Sequence, residues 1–284
     1  MTREDKDGAG DSDPAALAGF PALGALVTRM EAQLARLRER RDPRRFFHAT
    51  YLRTTQAVGA ELAAGGFLDA AWVERWDVAF AGLYLDALQA DARAGPVPGP
   101  WAAAFAAADD PASVLPPLRH VLLGMNAHIN YDLPQALLAV ISDAEFGDPA
   151  LVARRAADHR HIDQVLAALV DRRDRLPEAA GDPRGVTDRL LARANRLAAK
   201  RFLTEARAKV WANARVLAGA RRQDEAAYHA RLAELERLAT ARVADLARPG
   251  QVLLRLAARG FGIALSPGSR PAPPPRHPDP HGGS

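Results

Sequence analysis

Residues 67–88 read FLDAAWVERWDVAFAGLYLDAL. Val73, Phe80, Tyr84 and Leu88 recur at helical spacing and form one apolar face, the mark of an amphipathic helix packed on a core. Asp77 lies within about 40° of the centre of that face, at 100° per residue. Asp86 falls on the opposite side, where water solvates it. The stretch therefore predicts a helix and poses a question, because an inward carboxylate without a partner costs several kcal/mol.

The same period runs outward in both directions. Phe20, Leu23, Val27, Met30, Leu34 and Leu37 form one stripe, closed by Asp42-Pro43. Phe47, Tyr51, Thr54, Val58 and Leu62 form the next, stopped at Gly65-Gly66. After the 95–100 turn, helices are expected at about 101–108, within 115–141, and at about 149–172, 187–220, 223–247 and 250–258. A loop is expected at 176–184, and no alternating strand pattern stands out. Stripes of this kind bury against one another in an all-α, single multi-helix bundle. The expected organisation is a disordered segment at 1–13, one helical domain at 14–265 and a disordered Pro-rich tail at 266–284.

Composition narrows the chemistry. With no Cys among 284 residues, disulfides, thiolate catalysis, Cys-ligated zinc and iron–sulfur clusters are excluded. No run of about 18 apolar residues exists, so no membrane partner is expected. The start, MTREDKDGAGDSDP, lacks the apolar core of a signal peptide, which points to the cytoplasm. The net charge of +4 and pI near 9.8 come almost entirely from Arg interspersed with acids. The densest run, RLRERRDPRR at 36–45, spans a helix end, where the dipole favours cations. No nucleic-acid partner is expected, since no basic face carries aromatic platforms.

Three segments aim polar groups inward. Asp77 is the first, either matched to an Arg, Tyr or Trp or acting as a functional carboxylate. The second is HVLLGMNAHINYDLP, residues 120–134. Leu118, Val121, Leu122, Met125, Ile129 and Leu133 make a wide apolar arc that takes in Asp132 and, at its edge, His128. Their i, i+4 spacing lets both hold one ion or lets Asp132 orient the imidazole. Asn126 and Asn130, also four apart, are costly to bury and require partners. Gly124 implies a close approach, and Pro134 predicts a kink or restart just past Asp132. The third segment is DHRHID, 158–163: Asp158 points inward, pairing with Arg155 at i, i+3 or acting functionally. His159 and Asp163 repeat the HxxxD spacing on a less buried edge, and His161 reads as a surface residue. His48 lies near the inward face of its helix, Thr54 and Thr55 border the same stripe, and Arg207 or Arg215 could neutralise Asp77 or Asp158.

The strings FHATYLRTTQAV, FLDAAWVERWDVAFAGLYLDAL and LLGMNAHINYDLPQAL resemble an uncharacterised bacterial helical family, the domain-of-unknown-function family 5995. The resemblance covers roughly 20–265, with NAHINYDL its most specific part, and implies no reaction. It points to Tyr51, Thr54, Asp77, Tyr84, Asn126, His128, Asn130, Asp132 and Asp158, and the chain departs from the family pattern at His159 and Asp163. A looser likeness is to the zinc-dependent phospholipase C and single-strand nuclease group, which resembles this chain in being helical and carrying an HxxxD helix.

Carboxylates and imidazoles from several helices are how bundles build metal sites. The expectation is a metal-dependent enzyme, most plausibly a hydrolase, acting on a small-molecule substrate. Asp77, His128, Asp132 and Asp158 would hold a divalent zinc, iron or manganese ion. His128, Asp132, Asn126 and Asn130 would carry the chemistry, with Tyr51, Thr54, Tyr84 and His159 around them. The Glu-x-x-His, HExxH, GxSxG and P-loop signatures are missing. The alternatives are a metal-free small-molecule binder or Asp–His acid/base enzyme, and a scaffold whose buried polar network fixes helix register.

Overall fold

A computed structural model describes residues 17–110, 115–173, 186–250, 255–256 and 260–266. The segment 1–13, the loop 176–184 and the tail from 267 onward lie outside it, so the expectations placed on them are untouched. The rest is an all-α bundle, with no strand among the described residues. The helices are α1 (Pro21–Glu39), α2 (Arg45–Ala63), α3 (Ala70–Ala92), α4 (Gly99–Asp109) and α5 (Pro117–Ala127). A π-helical turn (His128–Asp132) follows, then α6 (Leu133–Val140), α7 (Asp143–Gly147), α8 (Pro149–Arg173), α9 (Val186–Gln223) and α10 (Glu225–Ala247).

Local chemistry sets most ends. The Asp69 carboxylate caps α3 by accepting from Trp72 N at 3.0 Å, and Asp224 caps α10 by accepting from Ala227 N at 2.7 Å. Ser142 and Glu145 form a capping box that starts α7, a short helix the apolar periodicity does not reveal. Pro134 lies in the first turn of α6, where its missing N–H costs nothing, so the restart expected past Asp132 is present. It is reached through a wider turn rather than a break.

The central rod is α5, the π-turn and α6, which touch α2, α3, α4, α9 and α10. Leu133, Ala136 and Leu137 on α6 are fully buried. On α9, Ala206, Val210, Ala214 and Leu217 form a fully buried apolar stripe that faces the rod. The basic run at 36–45 is the end of α1 and its turn: Arg36 and Arg38 lie in the last turn, and Arg44 pairs with Asp42, Asp91 and Asp109.

Beyond α10 the described residues end in an irregular, extended strap at 260–266. Phe261, Ile263 and Leu265 are buried, and a Cβ on Gly262 would meet Ala206 Cα at 2.8 Å, so only glycine lets the strap lie against α9. Phe261, Ile263 and Leu265 turn inward at every second position, with the buried Gly262 between the first two. The strap packs on helices rather than on another strand.

Candidate functional site

The Asn residues of the NAHINYDL string hold the strap. Asn130 Nδ2 donates to Phe261 O at 3.1 Å, while its Oδ1 accepts from Ile263 N at 3.0 Å. Asn126 Nδ2 reaches the same Phe261 carbonyl at 3.5 Å. From α9, Asn213 does likewise, donating to Ile263 O at 2.8 Å and accepting from Leu265 N at 2.9 Å. Side-chain amides thus replace the strand partner that an isolated extended segment lacks. The amide of Asn130, expected to carry chemistry, is occupied at both ends by backbone, whereas Asn126 makes only the long Nδ2 bond and its buried Oδ1 has no partner among the described residues. Asn213 carries an equal share and was not foreseen. Asn213 sits in a long Arg- and Ala-rich helix with no second Asn one turn away, so the sequence gives it no periodic signal.

Asp158 is also structural in its contacts. Its two carboxyl oxygens accept from Leu68 N at 2.7 Å and Asp69 N at 3.0 Å, holding the entry to α3. The expected Arg155–Asp158 pair does not form: Arg155 pairs with Asp69 and Glu145 instead. The metal quartet of Asp77, His128, Asp132 and Asp158 therefore does not gather. Among the described residues no three His, Asp or Glu side chains are grouped to hold an ion.

His128 and Asp132 do meet. Nδ1 and Oδ2 lie 2.8 Å apart, and Trp101 Nε1 donates to the same Oδ2 at 2.8 Å. Both residues are almost wholly buried; burial pushes the Asp132 pKa well up and that of His128 well down. Both shifts favour a pair without net charge. Such a pair carries two hydrogens, one between Nδ1 and Oδ2 and one on Nε2. His128 Nε2 is buried with no hydrogen-bond partner among the described residues. The ring stacks on Phe80, with centroids 3.6 Å apart, and meets Tyr51 edge-on at 4.4 Å. The pair sits at the two ends of the π-turn. Turns of this kind recur at functional sites, because the extra residue per turn moves side chains off the regular face.

The imidazoles of His48 and His159 are settled in packing. His48 Nε2 donates to Met30 O at 2.8 Å, which fixes the tautomer, so Nδ1 accepts from Tyr84 Oη at 3.0 Å. That bond occupies Tyr84. His159 is wedged between Trp76 and Trp211, its pKa driven well below the usual value by burial and the neighbouring Arg207. Asp163 ignores it and makes an ion pair with Arg207. His161 is half-buried, 2.7 Å from Glu61. Thr54 bonds back to Thr50 O at 3.1 Å, and Thr50 to Phe46 O at 2.9 Å, as hydroxyls within helices commonly do.

What faces His128 is a cavity of about 280 Å³ between α2, α3, α5, α8 and α9, completed by Leu256 and Phe261. The apolar arc of α5 explains it. Leu118, Val121, Leu122 and Met125 were expected in the core, yet Leu118 is 56% exposed and the other three are half-buried. They line this cavity, while the core side of α5 is His120, Leu123, Gly124 and Ala127. Gly124 has a definite reason: a Cβ there would lie 2.3 Å from Phe47 Cγ, so glycine lets the Phe47 ring form part of the wall.

Asp77 opens onto the same cavity. It is 8% exposed, and its Oδ2 has no hydrogen-bond partner among the described residues. Burial pushes its pKa up to about 7, with the charge of Arg207 pulling it partly back. Arg207 also lines the cavity, but its Nη2 donates to His159 O at 2.6 Å and its charge is matched by Asp163. The cation anticipated for Asp77 is thus nearby and already engaged.

A family model described as "Family of unknown function (DUF5995)" matches residues 23–249. The chain belongs to this family. The match spans every helix of the bundle core and stops short of the strap. No curated protein and no solved structure matches the chain. Among the described residues no helix is long and apolar enough to cross a membrane.

Proposed function

We propose that this family member binds a small, mostly apolar molecule in the cavity between α2, α3, α5, α8 and α9, with Asp77 as its polar anchor. One observation carries the reading. An apolar cavity of about 280 Å³ ends on a buried carboxyl oxygen that no described side chain satisfies. Its size is near the lower end of ligand pockets, and a few convergent polar groups on an apolar wall are what such pockets use for orientation. A buried unpaired acceptor is costly in the empty protein, and a ligand that fills the space and donates to it recovers that cost.

The metal-dependent hydrolase expected from the sequence needs at least three ligands around one ion, and no three of the described acids and imidazoles are grouped to supply them. A proton-transfer enzyme draws support from the pKa of Asp77, which leaves both protonation states populated near neutrality. Binding is common to that reading and ours.

The test is fluorescence titration with N-phenyl-1-naphthylamine, a neutral apolar fluorophore of suitable size. The wild type should enhance its emission at micromolar probe. Met125→Trp, which places an indole in the cavity, should weaken binding at least tenfold with unchanged helical circular dichroism. Equal binding by both proteins, or none by the wild type, refutes the proposal.

A further inference from the structure

We infer that the molecule this cavity takes is a hydrophobic amine, its ammonium group set on Asp77 among the rings of Tyr51, Trp76 and Phe80 and its apolar body against Met125, Ile129 and Ile162. This rests on the binding reading above and specifies the ligand class.

The argument is one of charge and donor accounting. Every charged or titratable group facing the polar end can be assigned. On α9, Arg207 is matched by Asp163 of α8 and by the His159 carbonyl. On the π-turn, His128 is matched by Asp132, which also accepts from Trp101. His159 is neutral between two indoles, and Tyr51 on α2 is held neutral by burial and by the Asp77 charge. Asp77 is the surplus: one acid for which the described residues supply no hydrogen-bond donor at Oδ2 and no cation of its own. The Thr50 and Thr54 hydroxyls are spent on carbonyls one turn back. Tyr51 Oη, Trp76 Nε1 and His128 Nε2, on the same wall, are neutral donors with no partner among the described residues, and none of them bonds Asp77. Neutral donors cannot balance a carboxylate, so the missing charge must come from the ligand.

An ammonium supplies that charge together with a donor for Oδ2. It is also the polar group that aromatic walls attract, and Trp76 already holds the Arg207 guanidinium 5.9 Å from its ring centroid. A ligand carboxylate would instead add a second negative charge beside Asp77, with Arg207 committed elsewhere. An alcohol would supply a donor and leave the charge unmatched.

The experiment is displacement of N-phenyl-1-naphthylamine from the full chain by hexylamine, hexanol and hexanoate, which share one apolar body. At pH 8 hexylamine should displace the probe at a concentration at least tenfold below hexanol, with hexanoate weakest. Below pH 7 the hexylamine affinity should fall about tenfold per pH unit as Asp77 takes up its proton, while hexanol stays level. Asp77→Asn should bring hexylamine to the level of hexanol while the probe still binds, which also shows that the variant folds. If the probe binds and hexanol or hexanoate equals hexylamine, the amine assignment is overturned and the binding site stands. An Asp77→Asn variant that keeps the amine preference overturns it too. A wild type that binds no probe overturns both.

Discussion

Replacing Asp77 by Asn should make the protein more stable in neutral and alkaline solution, although the residue lies at the heart of the candidate site. In the unfolded chain the carboxyl titrates near 3.8, and in the fold burial raises it to about 7. Between those values the folded protein holds a proton that the unfolded chain has released, so stability falls as pH rises through this window and levels off above pH 7. At about 1.4 kcal/mol per pH unit, the stretch from pH 5 to pH 7 removes about 3 kcal/mol. Below about pH 4 the carboxyl is protonated in both folded and unfolded states, the acid and the amide are close to isosteric, and the two proteins should differ little. Asn does not titrate, so subtracting one urea-unfolding series from the other cancels every other ionisable group. The stability difference should therefore grow by about 3 kcal/mol in favour of Asp77→Asn between pH 5 and pH 8, with its slope concentrated below pH 7. Parallel curves across that range would mean that Asp77 is solvated or paired, and would sink the buried-acid argument.

Three further outcomes are expected. Asn130→Ala removes two of the strap's side-chain clasps, strands Ile263 N and leaves Phe261 O only the long bond from Asn126, costing about 1–3 kcal/mol. Amide exchange at Ile263 should accelerate, and a loss under about 0.5 kcal/mol would show the clasp to be idle. Gly124→Ala forces Phe47 from its place and should cost about 1–3 kcal/mol by thermal unfolding, with weaker probe binding; an unchanged midpoint contradicts the close approach. Asp158→Ala leaves two amides at the start of α3 without their acceptor and should cost about 2–3 kcal/mol. Metal content of the purified protein should not change in that variant; metal lost together with Asp158 would restore it as a ligand.

The longer helices were readable because they are amphipathic and many end on local chemistry that the sequence displays, such as Asp69, Asp224 and the Pro residues near helix starts; α7, with no buried residue, was not. The inward positions of Asp77, His128, Asp132 and Asp158 were readable from angle alone, and all four are buried. What angle cannot convey is the partner. Asp158 meets backbone amides from a segment some ninety residues away, and Asn126 and Asn130 meet a strap over 130 residues downstream. The α5 arc misleads for a related reason. An apolar face looks the same in sequence whether it abuts other side chains or a void, and only the placement of α2, α8 and α9 decides that Leu122 and Met125 face a cavity. The strap left a faint trace in Phe261, Ile263 and Leu265, whose alternation is too short to declare itself.

The π-helical turn at His128–Asp132 fixes the phase between the two halves of the rod. Were one residue deleted there to restore ordinary winding, everything after it would rotate by about 100° relative to α5. Leu133 and Leu137 would swing away from α3 and α9, and whichever of the two clasping amides survived would no longer align with its neighbour. The chain can therefore drift in length at its loops, but its count through this one turn is locked: pocket floor, strap and core all take their orientation from the same surplus residue.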